Sequence, residues 1–251
     1  TGDLGTSYYT KAPVTQEIMS RFPATVELAI IAIILASVFG IIVGVISAVH
    51  KNSIFDNGGM LLSLVGVSVP IFWLGIMLII LFSGTLHWLP STGRVDPALR
   101  PDTVTGFMII DSIISGDTEA LVDVLRHLVL PAVTLSLYSM AIIARMTRSS
   151  MLETLNQDYI RTARAKGVAD GKVNRRHALR NAMLPVSTVI GLQLGSLLGG
   201  AVLTESVYSW PGIGNYTVQC IMKSDFPVVQ GVVLLIAVIF VLMNLIGDGI
   251  H

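Results

Sequence analysis

Residues 24–49 run for 26 positions with one charged side chain, Glu27. A bilayer-spanning helix needs about 20 consecutive apolar residues, so this run is long enough to cross. Comparable runs occupy residues 58–83, 127–147, 185–204 and 228–246. The pattern predicts an all-α integral membrane protein, a single domain over residues 1–251 with five spans. Composition agrees: 53% of residues are apolar and 13% charged, and the mean hydropathy is +0.74. Soluble domains carry about a quarter charged residues, so this chain lacks the polar surface to live in water.

The polar segments between the runs fix a topology. Residues 148–184 hold eight Lys or Arg against three acids, a net of +5, and the rule that cationic loops stay inside puts them in the cytoplasm. Residues 84–126 hold three Arg against six acids, a net of −3. Each span reverses the side, so residues 1–23, 84–126 and 205–227 are expected outside and the turn around Lys51 inside. The chain begins with Thr on the outer side. That predicts a further span before it, six in the intact protein.

The inner segment has the richest local pattern. Ser150-x-x-Glu153 has the form of a capping box and predicts a helix start. Leu152, Leu155, Tyr159 and Ala163 recur at helical spacing and predict an apolar stripe along residues 150–166. Gly167 predicts a stop at positive φ. Asp170 is placed to cap a second helix carrying Lys172, Arg175, Arg176 and Arg180. Such a segment can be a docking element or a basic loop that only orients the chain.

Within the spans, Gly40-x-x-x-Gly44 offers a small-residue face for close packing. Pro70, in SVPIFWLG, predicts a kink near the middle of the second span. Gly191, Gly195 and Gly199 repeat every fourth residue, a smooth stripe for a neighbouring helix or a passing substrate. Gln193 lies beside them at membrane depth and needs a partner. Ser209-Trp210-Pro211-Gly212 is a turn signal in the last outer segment. Cys220 is the single cysteine, so no intrachain disulfide forms, and no metal-site spacing occurs. Gly167-Val-Ala-Asp-Gly171-Lys172 falls one residue short of a phosphate-binding loop and ends in Val173. Span charges are few, Glu27 and Arg145, both expected near helix ends. That weakens a solitary ion-driven transporter and leaves energy to another subunit.

Several stretches together resemble the permeases of ABC importers, particularly the peptide and nickel group: MTRSSMLE (146–153), DYIRTARAKG (158–167), RHALRNAMLPV (176–186), SVYSWPGIG (206–214), SVPIFWLG (68–75) and DFPVVQGVVLL (225–235). The chain is most similar to the first permease subunit of a dipeptide importer. Where the broader importer loop has Glu-Ala-Ala, this chain has Arg161-Thr162-Ala163. The resemblance implies a non-catalytic subunit without a cofactor of its own. Two partner ATPase subunits would bind ATP and Mg, a second homologous permease would complete the pathway, and an extracytoplasmic binding protein would deliver substrate. Lipid surrounds it and nucleic acid has no part. Implied ATPase-coupling residues are Leu155, Asp158, Tyr159, Arg161, Thr162, Ala163, Arg164, Lys166 and Gly167. Pathway candidates are Pro70, Gly191, Gln193, Gly195 and Gly199. Ser209, Trp210, Pro211 and Gly212 are candidates to face the binding protein. Dipeptides or oligopeptides are the implied cargo, with nickel chelates, glutathione or haem as alternatives. A solitary transporter or a membrane scaffold is the alternative of another class.

Overall fold

The computed structural model describes residues 4–249. The order is α1 (Val14–Val49), α2 (Ile54–Ser68), α3 (Ile71–Leu78, wound on as π-helix through Thr85), α4 (Met108–Ser115), α5 (Thr118–Leu155), α6 (Asp158–Ala165), α7 (Asp170–Lys172), α8 (Leu179–Gly200), α9 (Val202–Val207), α10 (Ile213–Met222) and α11 (Phe226–Gly249). A π-helical stretch, Val173–Ala178, joins α7 to α8 without a break. Among the described residues there is no β-strand, only an isolated bridge between Thr6 and Pro13.

By length and composition, α1, α5 and the stretch Asp170–Gly200 can each cross a membrane. A fourth is added if α2 and the helix after it, a bent pair, count as one span. The expected fifth run falls in α11, whose apolar part, Phe226–Leu242, is shorter.

Helices begin earlier than hydropathy alone suggests. α1 starts at Val14, so Pro23 lies inside it and not at its start. A 36-residue helix is about 54 Å long, well beyond the roughly 30 Å hydrocarbon layer. Its first turns form because Val14 and Ile18 bury themselves against Ile213, Tyr216, Cys220, Val228 and Val232. Pro131 and Pro185 likewise lie inside α5 and α8. Pro70 does more than kink its span. α2 ends at Ser68, and Pro70 caps a new helix from Ile71, since proline disfavours helical backbone at the residue before it.

The chain falls into two compact units. One comprises residues 1–32, 70–135 and 195–242; the other comprises 33–69, 136–194 and 243–251. In the second, α1 and α5 meet backbone to backbone. A Cβ on Gly40 would lie 2.9 Å from the Met140 carbonyl oxygen, and one on Gly44 2.6 Å from that of Ala144. The Gly40-x-x-x-Gly44 face is where the two helices close. α2 joins them through Asp56, which is buried and takes two hydrogen bonds from the Arg148 guanidinium, at 2.6 and 2.8 Å.

Candidate functional site

The segment after α5 differs from its expected form. Ser150 and Glu153 start no helix. α5 continues through them to Leu155 because Met151 and Ser150 are buried within their unit. A turn at Asn156 and Gln157 then releases the chain into α6, only eight residues long. The apolar stripe also faces the other way. Leu152, Leu155 and Ala163 pack onto a cluster of Ala48, Met151, Ile160, Val173, Ala178 and Ala182. Only Tyr159 of that stripe is exposed, and its hydroxyl accepts from Asn181 Nδ2 at 2.8 Å. Leu155 and Ala163 therefore support the helix from beneath.

α6 is held by one fully buried side chain, Ile160. The stripe reading passed over Ile160, although its isoleucine among polar neighbours was the available signal. The helix ends in a Schellman closure: Val168 N–H donates to the Ala163 carbonyl at 3.2 Å, and Gly167 N–H to that of Arg164 at 2.9 Å. Gly167 has φ +78°, in the left-handed region that glycine tolerates. Nothing lies within 4 Å of where its Cβ would be, so backbone conformation is the reason for glycine here.

The outer face of α6 carries Asp158, Arg161, Thr162, Arg164 and Lys166, all exposed. Arg161 reaches Asp158 at 3.5 Å and Arg164 reaches Asp170 at 3.2 Å, both in solvent, where such pairs contribute little. Asp170 is thus no cap. Ala169 holds that position, and Asp170 opens α7 with its carboxylate turned to Arg164. Lys172, Arg175, Arg176 and Arg180 extend the exposed positive surface. One fully buried side chain thus anchors α6, and its outer face is a surface of exposed, weakly paired charges with cations in excess.

The other polar region, residues 205–225, is closed on itself. Glu205 is buried; its Oε1 accepts from Thr25 Oγ1 at 2.6 Å and its Oε2 from Asn215 N–H at 2.9 Å. Burial pushes its carboxyl up, against the pull of these hydrogen bonds. Thr25 Oγ1 in turn accepts from Ile213 N–H at 2.8 Å. The loop after α9 wraps this carboxylate so closely that a Cβ on Gly212 would meet it at 2.3 Å. Trp210 is fully buried and donates from Nε1 to the Ala24 carbonyl at 2.9 Å. Trp210 and Gly212 therefore cannot face a binding protein, whereas Ser209 and Pro211 are exposed.

Glu27 is turned inward as well. It is buried, takes two hydrogen bonds from Arg94, one of 3.0 Å from Nε, and accepts from Ile109 N–H at 2.9 Å. At the N-terminal end Asp225 accepts from the Ser7 hydroxyl and from Tyr8 N–H at 2.9 Å. Burial pushes its carboxyl up, but these bonds win and hold it below the usual carboxylate range.

The pathway candidates separate. Gln193 has its partner: Ser139 donates to its Oε1 at 2.9 Å. Gly199 packs near Ile236, 3.4 Å from where its Cβ would be, as helix packing requires. Gly195 is buried, Gly191 has open space about it, and Pro70 is exposed at the helix break. Arg145 lies in the C-terminal part of α5, which runs on past the expected span to Leu155.

Known proteins share this architecture. A sequence model of the family described as "Binding-protein-dependent transport system inner membrane component" matches residues 40–251. The whole chain is 50% identical to the di/tripeptide transport system permease protein DppB of Pseudomonas aeruginosa (strain UCBPP-PA14), of which it covers 74%. It is 51% identical to the dipeptide transport system permease protein DppB of Escherichia coli (strain K12), covering 75% of that protein and all of this one. Among solved structures, the inward-facing MetNI methionine ABC transporter superposes with a TM-score of 0.65 at 19% identity, over 90% of this chain and 91% of that one. An amino acid ABC transporter reaches 0.60 at 13% identity, over 94% and 91%. At these identities the superpositions speak for the fold.

Proposed function

Because the chain belongs to the binding-protein-dependent transport system inner membrane component family, we propose that it forms half of the passage for dipeptides and short oligopeptides in an ATP-driven importer. The relatives that are half identical to it along its whole length are named as dipeptide or di/tripeptide permeases, which supports the substrate class. The chain is an inner-membrane permease of an ABC importer and the pathway is its contribution. Chemistry resides in two partner ATPase subunits that bind ATP and Mg, and a second homologous permease lines the other half. A binding protein outside the cell delivers the peptide.

One observation carries the coupling role: α6 is a short helix with one fully buried side chain, Ile160, and an exposed face of Asp158, Tyr159, Arg161, Thr162, Arg164 and Lys166 ending at Gly167. Seated in a groove with acidic groups, that face would pass closure of the ATPase pair to α5 and α8. The docking contact must differ in energy between the transporter's states, or nucleotide could not bias them. The test is ATP hydrolysis and dipeptide uptake by the complete complex in lipid, with and without loaded binding protein. Reversing Arg161, Arg164 and Lys166 to Glu together should abolish the stimulation by loaded binding protein while α6 remains folded. Undiminished stimulation would return the segment to a topological anchor, and an absence of peptide uptake by the wild type would remove the substrate reading.

A further inference from the structure

α5 carries two arginines one turn apart with opposite circumstances. Arg148 is committed to Asp56 by two hydrogen bonds. The guanidinium of Arg145 has no hydrogen-bond or ion-pair partner among the described residues, and the side chain is exposed. Both lie toward the C-terminal end of α5, a helix long and apolar enough to cross the membrane. A cation there is best placed where it faces water or an anion. Arg145 faces a cavity of about 440 Å³. The site is an open groove that Arg148 lines as well, and its apolar part is Met60 of α2, Ile142 and Met146 of α5, and Val189 of α8. Ser149, one turn on from Arg145, supplies a hydroxyl.

We propose that this cavity is a subsite of the translocation pathway and that Arg145 receives the terminal carboxylate of a peptide in transit. This rests on the peptide reading above. The chemistry fits a small molecule with one anionic end and a variable apolar part. A guanidinium matches a carboxylate with two parallel donors. Met60 and Met146 have flexible thioether side chains that adapt to neighbours of different shape, which suits a carrier that must accept many residue types. The cavity lies within the size range of small-molecule sites. No carboxylate of this chain among the described residues neutralises Arg145, so the site is open to an anion from outside. Such a contact holds every peptide by the group they share and leaves the side chain unspecified.

The test uses the complete complex in liposomes, with ATP, loaded binding protein and radiolabelled dipeptide. Arg145→Gln should lower the peptide moved per ATP hydrolysed about tenfold or more, since a hydrogen-bonded charge pair is lost. Stimulation of hydrolysis by loaded binding protein should persist, because binding-protein docking lies elsewhere. Arg145→Lys keeps the charge without the fork and should recover part of the uptake. In the wild type, a dipeptide with a photoreactive side chain should label Met60, Met146 or Val189, and Arg145→Gln should remove that label. Wild-type uptake per ATP in Arg145→Gln, or labelling confined to other residues, would overturn the proposal. If Arg145→Gln does not assemble, the labelling pattern of the wild type decides alone. Should uptake require phosphatidylglycerol in the vesicles, and Arg145→Gln abolish that requirement, the occupant is a lipid headgroup and the proposal fails while the peptide reading stands. No dipeptide uptake by the wild type would sink both.

Discussion

Residues 156–169 and residues 205–225 are both short polar passages next to apolar helices, yet they spend their polar groups differently. The second passage satisfies itself. Glu205, Thr25, Trp210 and Asn215 find partners inside the same unit, and the loop is wrapped too tightly for a side chain at Gly212. The first leaves its charges outward, with Ile160 as its one fully buried side chain. The contrast teaches what a polar segment in a membrane protein is for. Where buried groups close a network, the segment holds a shape; where charges face outward, its surface stays available for contact.

This comparison can be broken by experiment, and the largest effect is expected on the closed side of the molecule. Arg94→Ala leaves the Glu27 carboxylate buried without its partner, which should cost about 3–5 kcal/mol. The thermal unfolding midpoint of the purified complex would drop sharply; an unchanged midpoint would show that the buried Arg94–Glu27 pair is dispensable. Ile160→Ala comes next, at about 2–5 kcal/mol for a fully buried isoleucine. Here the loss should appear as uncoupling, with α6 exchanging its amide hydrogens quickly while the remainder of the chain stays protected.

Gly167→Val should cost about 1–2 kcal/mol, since a β-branched residue resists φ +78°. Uptake per ATP should fall, and Gly167→Asn should be tolerated because asparagine accepts left-handed backbone. Equal coupling in the valine and asparagine variants would mean that the turn does not set the orientation of α6.

Asp225→Asn should cost on the order of 1 kcal/mol at neutral pH. The Asp225 carboxyl is held below its ordinary value in the folded chain, so its contribution is present above that ordinary value, about 3.9, and is lost as pH falls through the lowered one. The gap between wild type and Asp225→Asn should therefore close in acid. A gap that widened there would reverse the sign assigned to this group. The smallest stability effect belongs to Arg161→Glu, within about 0.5 kcal/mol because the side chain is exposed. Its effect should be confined to ATPase binding and to the salt dependence of that binding.

The apolar runs, the left-handed turn at Gly167 and the close face of Gly40 and Gly44 were legible in the sequence because each follows from a short pattern. Helix starts were not. Val14 and Ile18 are helical through burial against α10 and α11, residues some 200 positions away in the chain. Ser150-x-x-Glu153 matched a cap by spacing, but burial of Met151 carried α5 through it. The stripe through Leu155 and Ala163 was legible in period, but a period cannot say which side holds the core, and these residues turn to it. The clasp around Glu205 joins groups 180 residues apart, and no local pattern could have announced it.

At Gly40 and Gly44 the α1 main chain lies directly against the carbonyls of Met140 and Ala144 and the side chains of Ile143 and Thr147 on α5. β-branched side chains in a helix have few χ1 rotamers to choose from, so Ile143 and Thr147 have little room to swing aside. A slide along this seam would drive Ile143 or Thr147 into the facing backbone. Gly40 and Gly44 thus fix the register of α1 against residues 140–147 of α5. The hydrogen bond of Ser139 to Gln193, between α5 and α8, is a contact of another kind, a single bond whose two polar groups water can also satisfy.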